Sequence, residues 1–586
     1  MSPSNYDCSF SARSSELEPY GDVAGPGVLA GFLGTGWLAV GLVLMHYIFV
    51  FDPNKDPYLV DSQEGGDYDD RYVWKANPID SLVKDLIGKG LRCIKINTVW
   101  GNALEMSILG MCDVQFVTGI GILVSGFIDL RKGISAYHFY LITHVAWFSN
   151  LTHICGLTVL RKYLHSHPSE KMIRLWSMAV LAILLLIAMG PTLFFNWAYI
   201  DPEGSASLPG TDAICFYNPS RSASWYLLSN NDGSGLAKST AFQSGLTSIL
   251  LLFLNFTSRV IKFQKSLSDS LKALRRLLSG YLFKSICLLQ RRRSQTTGLM
   301  SLFNRRMMLY NLISLLLVLR LYLDLLLSSL WDMFWLLASA FWGTFKLFMT
   351  KSSANVDEND WNFGQILPAF LLLGPIATAI KAGFEHQLES TRSQPSYDTR
   401  TLEIGRYGPA NNESTLIGAL DDSTESLEMR CFQQHMEDCL KRNYYDPKTC
   451  RWMPWIVLFA CVQVLAITIM AFATLINVGP DVRRVLLSSG FNILVIIPST
   501  TYMLVITCII YEIYGPARGR SWIFTIFLIS VSGAFVIYPL WEVLGYFAGT
   551  PTTGMATFSL VLTSGGIIAI AASGVSELLL FAGGKD

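Results

Sequence analysis

The groups with most chemical potential in this 586-residue chain lie inside apolar sequence. Asp113 and Gln115 sit within ILGMCDVQFVTGIGILVSGF, a run of membrane-spanning length. A carboxylate at that depth is costly, so the sequence places it facing a bundle interior or a water pocket. There it could contact an ion or a substrate, or make a structural hydrogen bond to a neighbouring helix. The next apolar run, SAYHFYLITHVAWFSNLTHICGLTVLR, holds His138, His144 and His153. Residues 144 and 153 fall on opposite faces of a helix with 3.6 residues per turn, so one metal cannot take both. A proton-relay histidine and an interhelical hydrogen bond are the two readings of each. No His or Cys pair has helical metal-site spacing with a carboxylate companion, so neither a metal nor a cofactor is expected.

Weaker candidates surround these. Arg320 and Asp324 stand four apart on a helix and should neutralise each other. Trp331, Trp335 and Trp342 share a helical face, the pattern of packing or of an interfacial belt. Glu512, Glu542 and Glu577 lie near the ends of apolar runs, where water reaches them. Pro498, Pro368 and Gly374-Pro375 interrupt apolar helices, as in transporter sites or as tolerated kinks. Gly27, Gly31 and Thr35, and again Gly565, Ala569 and Ser573, have the small-residue spacing of closely packed helices. There is no phosphate-binding glycine loop, no HExxH and no nucleophile elbow. The run DYDD (Asp67, Asp69, Asp70) reads as solvated linker.

These groups must be held by membrane helices. Half of the chain is hydrophobic (51%) and only 15% is charged, well below a soluble domain. The apolar residues form blocks that span about 30 Å of hydrocarbon as helices. Alternating barrel strands are absent, so the fold class is all-α, a polytopic transmembrane bundle. Spans are expected at 26–51, 104–129, 134–160, 172–195, 241–260, 326–349, 363–384, 452–478, 487–511, 521–546 and 554–581, about eleven by run length. The first 25 residues are acidic and lack a basic start, so the first span serves as a signal anchor. A net charge of +1 offers nothing to nucleic acid.

Orientation follows from the basic residues. Stretch 258–308 carries twelve Lys or Arg against one acid, Asp269, whereas 196–240 carries only Arg221 and Lys238. The first is expected in the cytoplasm and the second outside, giving an outside N-terminus and a cytoplasmic C-terminus. The short outside loops with Arg131 and Lys132, and with Arg483 and Arg484, run against this trend. The expected organisation is an outer segment at 1–25, helices one to five over 26–260, and a basic cytoplasmic segment at 261–325. Helices six and seven follow over 326–384, then a flexible cytoplasmic loop at 385–451 and helices eight to eleven over 452–586. Within the basic segment, 260–289 has an amphipathic pattern through Leu267, Leu271, Leu274, Leu278 and Tyr281, and 82–95 is a shorter version. Residues 260–306 are therefore expected on the anionic cytoplasmic leaflet of the bilayer. Residues 307–349 read as an in-plane half followed by a crossing half, with a two-span hairpin as the rival.

This topology leaves Cys8 and Cys215 as the two cysteines clearly outside. An oxidising compartment should join them, while Cys431, Cys439 and Cys450 stay reduced. The sequons at Asn150 and Asn255 lie within spans, and the one at Asn412 lies on the cytoplasmic side, so no glycan is expected at any of them.

The stretches DCSFSARSSELEPYGDVAG, GPGVLAGFLGTGWLA, DVQFVTGIGILVSGF and SAYHFYLITHVAWFSNLTHICGLTVLR resemble a group of multi-pass membrane proteins of filamentous fungi. The resemblance covers mainly residues 6–200. That group has no assigned activity, so it transfers no site residues, although Asp113, Gln115, His138 and His153 fall in its characteristic stretch. Three function classes stand open: a transporter or channel, a membrane-embedded enzyme acting on a lipophilic, terpenoid-like metabolite, and a receptor or scaffold. The expected location is the plasma membrane or another membrane of the secretory pathway.

Overall fold

A computed structural model describes residues 6–14, 16–56, 76–90, 98–195, 208–229, 239–270, 299–353 and 452–476, with single positions among 273–281, 358, 366–381, 444–450 and 501–509. Helices α1 Pro26–Met45, α2 Pro78–Gly90, α3 Thr98–Leu130, α4 Ala136–Val159 and α5 Pro168–Thr192 come first. They are followed by α6 Pro219–Ser229, α7 Thr240–Phe263, α8 Leu299–Leu327, α9 Ser329–Ser353 and α10 Met453–Ile476. Among the described residues there is no strand, only an isolated bridge between Ser135 and Asp212.

Among the described residues, five segments are long and apolar enough to cross a membrane: Gly21–Val50, Gly101–Leu130, Pro168–Thr192, Ala241–Phe263 and Ser329–Ser352. Their outward faces are greasy. On α5, Met172, Ile173, Trp176, Val180, Ile183 and Ile187 are exposed at helical spacing, an apolar face of the kind that a bilayer covers. The sixth long helix of this group, α4, is different. Every residue from Ala136 to Leu157 is buried, so its many polar side chains never meet the bilayer.

Helix α4 is the axis of the bundle, packed by α1, α3, α5, α7 and α9. Close approach depends on small residues at the contacts. A Cβ on Gly119 of α3 would lie 2.6 Å from the Ser149 side chain, so the residue at 119 must be glycine for the two helices to touch there. The start of α4 is fixed by a loop. Ala136 N and Tyr137 N donate to the carbonyls of Thr211 and Pro209, satisfying amides that a helix start leaves open. Gly210 lets this loop reach the N-terminal segment, since a Cβ there would strike the Glu16 carbonyl. Cys8 and Cys215 are joined as expected, with Cα atoms 5.5 Å apart, and tie that segment to the same loop.

The boundary at α7 differs from the sequence reading. The amphipathic segment does not begin at 260, because α7 continues to Phe263 and buries Arg259 and Lys262. Both find a partner carboxylate inside the bundle, so they are not loop charges. Beyond Gln264 the chain is helical again, and Leu267, Leu274, Leu277 and Tyr281 are exposed. Within 82–95 the described residues are the second half of α2, which buries Leu82 and exposes Leu86.

The stretch 307–349 is two helices broken at Ser328. The two helices join different cores. Helix α9 packs on α4, whereas α8 packs through Leu317, Leu321 and Leu325 with α2, α10 and residues 504–509. Ser328 caps α9 by accepting from Trp331 N, and Asp80 accepts from Ser329 N and Leu330 N. Arg320 and Asp324 pair at 3.7 Å as expected, and Tyr445 also donates to Asp324. The expectations for 363–384 and for the last three spans fall largely or wholly outside the described residues. So do those for 385–443, Glu512, Glu542, Glu577, Pro498, Gly565–Ser573 and Asn412.

Candidate functional site

The polar groups of the bundle gather on three facing helices. Helix α9 presents Asp332, Ser339 and Lys346 at seven-residue intervals, which keeps them on nearly one face. Asp332 and Lys346 stand about 21 Å apart along it at 1.5 Å per residue. Helix α7 turns Ser244, Ser248, Asn255, Arg259 and Lys262 toward α9, and α4 adds Tyr140, His144 and Trp147. The result is a polar seam running most of the length of an otherwise apolar bundle.

At the disulfide end, Glu358 is fully buried. It accepts from Tyr137 Oη at 3.2 Å and from Tyr20 N at 3.4 Å, and lies 2.7 Å from His138 Nε2. His138 Nδ1 meets Ser135 Oγ at 2.7 Å. The Ser–His–Glu order resembles a hydrolytic relay, but Ser135 is already the α4 cap, accepting from His138 N. The other members are buried, so the group acts as a pin between the α4 start and the chain after α9.

Deeper in the seam, Lys346 is fully buried. Its ammonium lies 3.3 Å from Ser244 Oγ, 5.3 Å from the centre of the Tyr140 ring and 5.6 Å from that of Trp342. Trp342 donates to Ser248 Oγ at 2.8 Å. Tyr140 stacks on His144 at 4.2 Å, and His144 Nδ1 meets the Tyr140 carbonyl. His144 Nε2 is buried with no hydrogen-bond partner. A lysine amine beside two aromatic rings, a hydroxyl and an open imidazole nitrogen makes a polar pocket with aromatic walls.

One level further, Trp147 donates to the Ser339 carbonyl at 3.1 Å, and Asn255 Nδ2 donates to Ser339 Oγ at 2.9 Å. The far end is closed by Asp332. Arg259, Lys262 at 2.8 Å and Arg161 at 3.1 Å all converge on its carboxylate.

The expected site residues are scattered over this frame. Asp113 is not the interior carboxylate that its depth in the run suggested. Its side chain is 59% exposed and pairs with Arg174 at 2.6 Å across α3 and α5. The pair answers the charge problem that burial was expected to answer. Gln115, two residues on, is buried and accepts from Ser149 Oγ at 2.7 Å. His138 belongs to the Glu358 pin and His144 to the Lys346 level. His153 faces α3, with its ring 5.8 Å from Phe116, on the side opposite His144. Among the described residues no cluster of His, Cys, Asp and Glu could hold a metal ion.

Lys346, Asp332, Glu358 and Arg259 were missed as site residues. The signal was present: Asp332, Ser339 and Lys346 repeat by seven, and Ser244, Ser248, Asn255, Arg259 and Lys262 repeat at helical spacing.

No family model matches the chain, and no solved structure matches it. It is similar to the elsinochromes biosynthesis cluster protein HP3 of Elsinoe fawcettii, at 26% identity over 152 residues. That match covers 26% of this chain and 51% of the relative, so the chain spans about half the relative's length.

Proposed function

We propose that this integral membrane protein is a transporter that moves a small anionic, aromatic-bearing metabolite along the α4–α7–α9 seam. The observation that carries this reading is Lys346, a buried lysine flanked by Tyr140 and Trp342. An ionisable group at such depth is expensive to keep and marks a solute path by default. The name of the relative adds a link to a biosynthesis cluster, and hence to a metabolite.

In this proposal the disulfide end faces the outside, and the end bearing Arg161, Arg259 and Lys262 faces the cytoplasm. The oxidised Cys8–Cys215 pair and the positive-inside bias support the same orientation. The full chain would have about eleven spans by run length, with the exposed face of residues 267–281 lying on the anionic inner leaflet. The membrane would be the plasma membrane or another of the secretory pathway.

An embedded enzyme acting on a lipophilic metabolite is the second reading, favoured by the same relative's name. Metabolite profiling of cells with and without the chain separates the two. Transport predicts unchanged chemistry with a changed distribution between cells and medium. Catalysis predicts that a product disappears and its precursor accumulates. Re-expression of Lys346→Met should fail to restore the distribution, and full restoration would sink the transport reading.

A further inference from the structure

Two arginine nitrogens at the basic end of the seam have no hydrogen-bond partner. Arg161 and Arg259 both engage Asp332, and Arg259 also donates to its backbone carbonyl at 2.8 Å. Lys262 reaches the same carboxylate and the Ser328 carbonyl at 3.0 Å. Yet Arg161 Nε and Arg259 Nε are buried without any hydrogen-bond partner. Asp80, the neighbouring carboxylate, is already committed to the α9 amides and to Tyr47 Oη at 3.2 Å. Three basic side chains therefore converge on the Asp332 carboxylate. A guanidinium holds five donors in a fork suited to an oxyanion, and two such forks stand on one carboxylate here. The site has a way in: the Arg161 side chain is 16% exposed, while that of Arg259 is 1% exposed.

We infer that Arg161 and Arg259, with Lys262 beside them, form a binding site for a phosphate-type anion. The ligand supplies the oxygens that the two Nε donors lack. The shared chemistry is a tetrahedral oxyanion, presented either as the headgroup of an anionic lipid or as a free phosphate. The inference stands on the cluster alone and does not require transport.

The test uses the purified full chain. Thermal unfolding is followed by tryptophan fluorescence in inorganic phosphate against chloride of equal ionic strength. It is repeated in nanodiscs of phosphatidylcholine with and without phosphatidic acid, and native mass spectrometry reads retained lipid. Saturable stabilisation by inorganic phosphate supports a free-anion site. Stabilisation by phosphatidic acid alone, with that lipid retained through delipidation, supports the headgroup. In either case Arg161→Gln should weaken the effect about tenfold or more, the scale of one lost charge-assisted contact. Arg161 sits at the edge, so this variant remains readable if Arg259→Gln fails to fold, and binding to the unaltered chain needs no variant. No response to either anion, or an equal response in Arg161→Gln, overturns the site.

Discussion

Glu358 Oε1 lies 2.7 Å from His138 Nε2, although 220 residues separate them in the chain. The contact fastens the chain after α9 to the first turn of α4. Removing one partner of a buried pair strands the other. Glu358→Ala should therefore lower unfolding stability by about 3 kcal/mol. Glu358→Gln keeps shape and an acceptor and should lose nearer 1 kcal/mol. Equal losses in the two variants, measured by thermal unfolding in detergent, would remove the charge from the explanation.

Lys346 predicts the opposite pattern. Replacing a buried ion by an apolar side chain of similar size is commonly neutral or stabilising. Lys346→Met should unfold within about 1 kcal/mol of the parent chain, or later, while the metabolite distribution collapses. A variant that loses stability and distribution together would make Lys346 a structural group.

Asp113 and Arg174 pair at 2.6 Å on the outward side of α3 and α5, within an apolar run, so water does not screen them as it does a surface pair. Asp113→Asn leaves Arg174 without its counter-charge and should lower unfolding stability, while the metabolite distribution per folded molecule stays that of the parent. Loss of activity at normal stability would return Asp113 to the list of working groups.

The Cys8–Cys215 bridge closes a separation of 207 residues. Cys8→Ser and Cys215→Ser should each cost about 2–5 kcal/mol, and the double variant no more than either single. Peptide mapping without reduction should recover the two cysteines in one cross-linked species. Labelling of both thiols in unreduced cells would contradict the bridge and the orientation proposed with it.

Asp80 supplies a pH signature. Burial holds its carboxyl above the usual range, against the lowering effect of the Ser329 and Leu330 amides. For an acid raised on folding, the stabilising contribution is greatest below the unfolded value and falls as pH rises through the folded one. Stability should thus decline across that window, and Asp80→Asn should flatten the decline while keeping an oxygen on the α9 amides. Asp80→Leu removes the cap and should cost about 1–2 kcal/mol. A pH profile unchanged in Asp80→Asn would assign the slope to other groups.

Much of the frame was legible in residue order. Of the eleven spans expected from run length, five coincide with long apolar helices among the described residues, because hydrocarbon thickness sets a minimum helix. The same local logic gave the Arg320–Asp324 pair, the opposite facing of His144 and His153, and Cys8–Cys215 through compartment chemistry. What a polar group in an apolar run will face is another matter, since neighbouring helices decide it. Asp113 has the more apolar setting in sequence, yet it turns outward because Arg174 on α5 meets it. Arg259 and Lys262 belong in sequence to a basic loop, yet they are buried because Asp332 waits across the helix interface. Glu358 and His138 show no local sign of each other. Charge is satisfied by partners in space, and only the packing of α4, α7 and α9 brings those partners together.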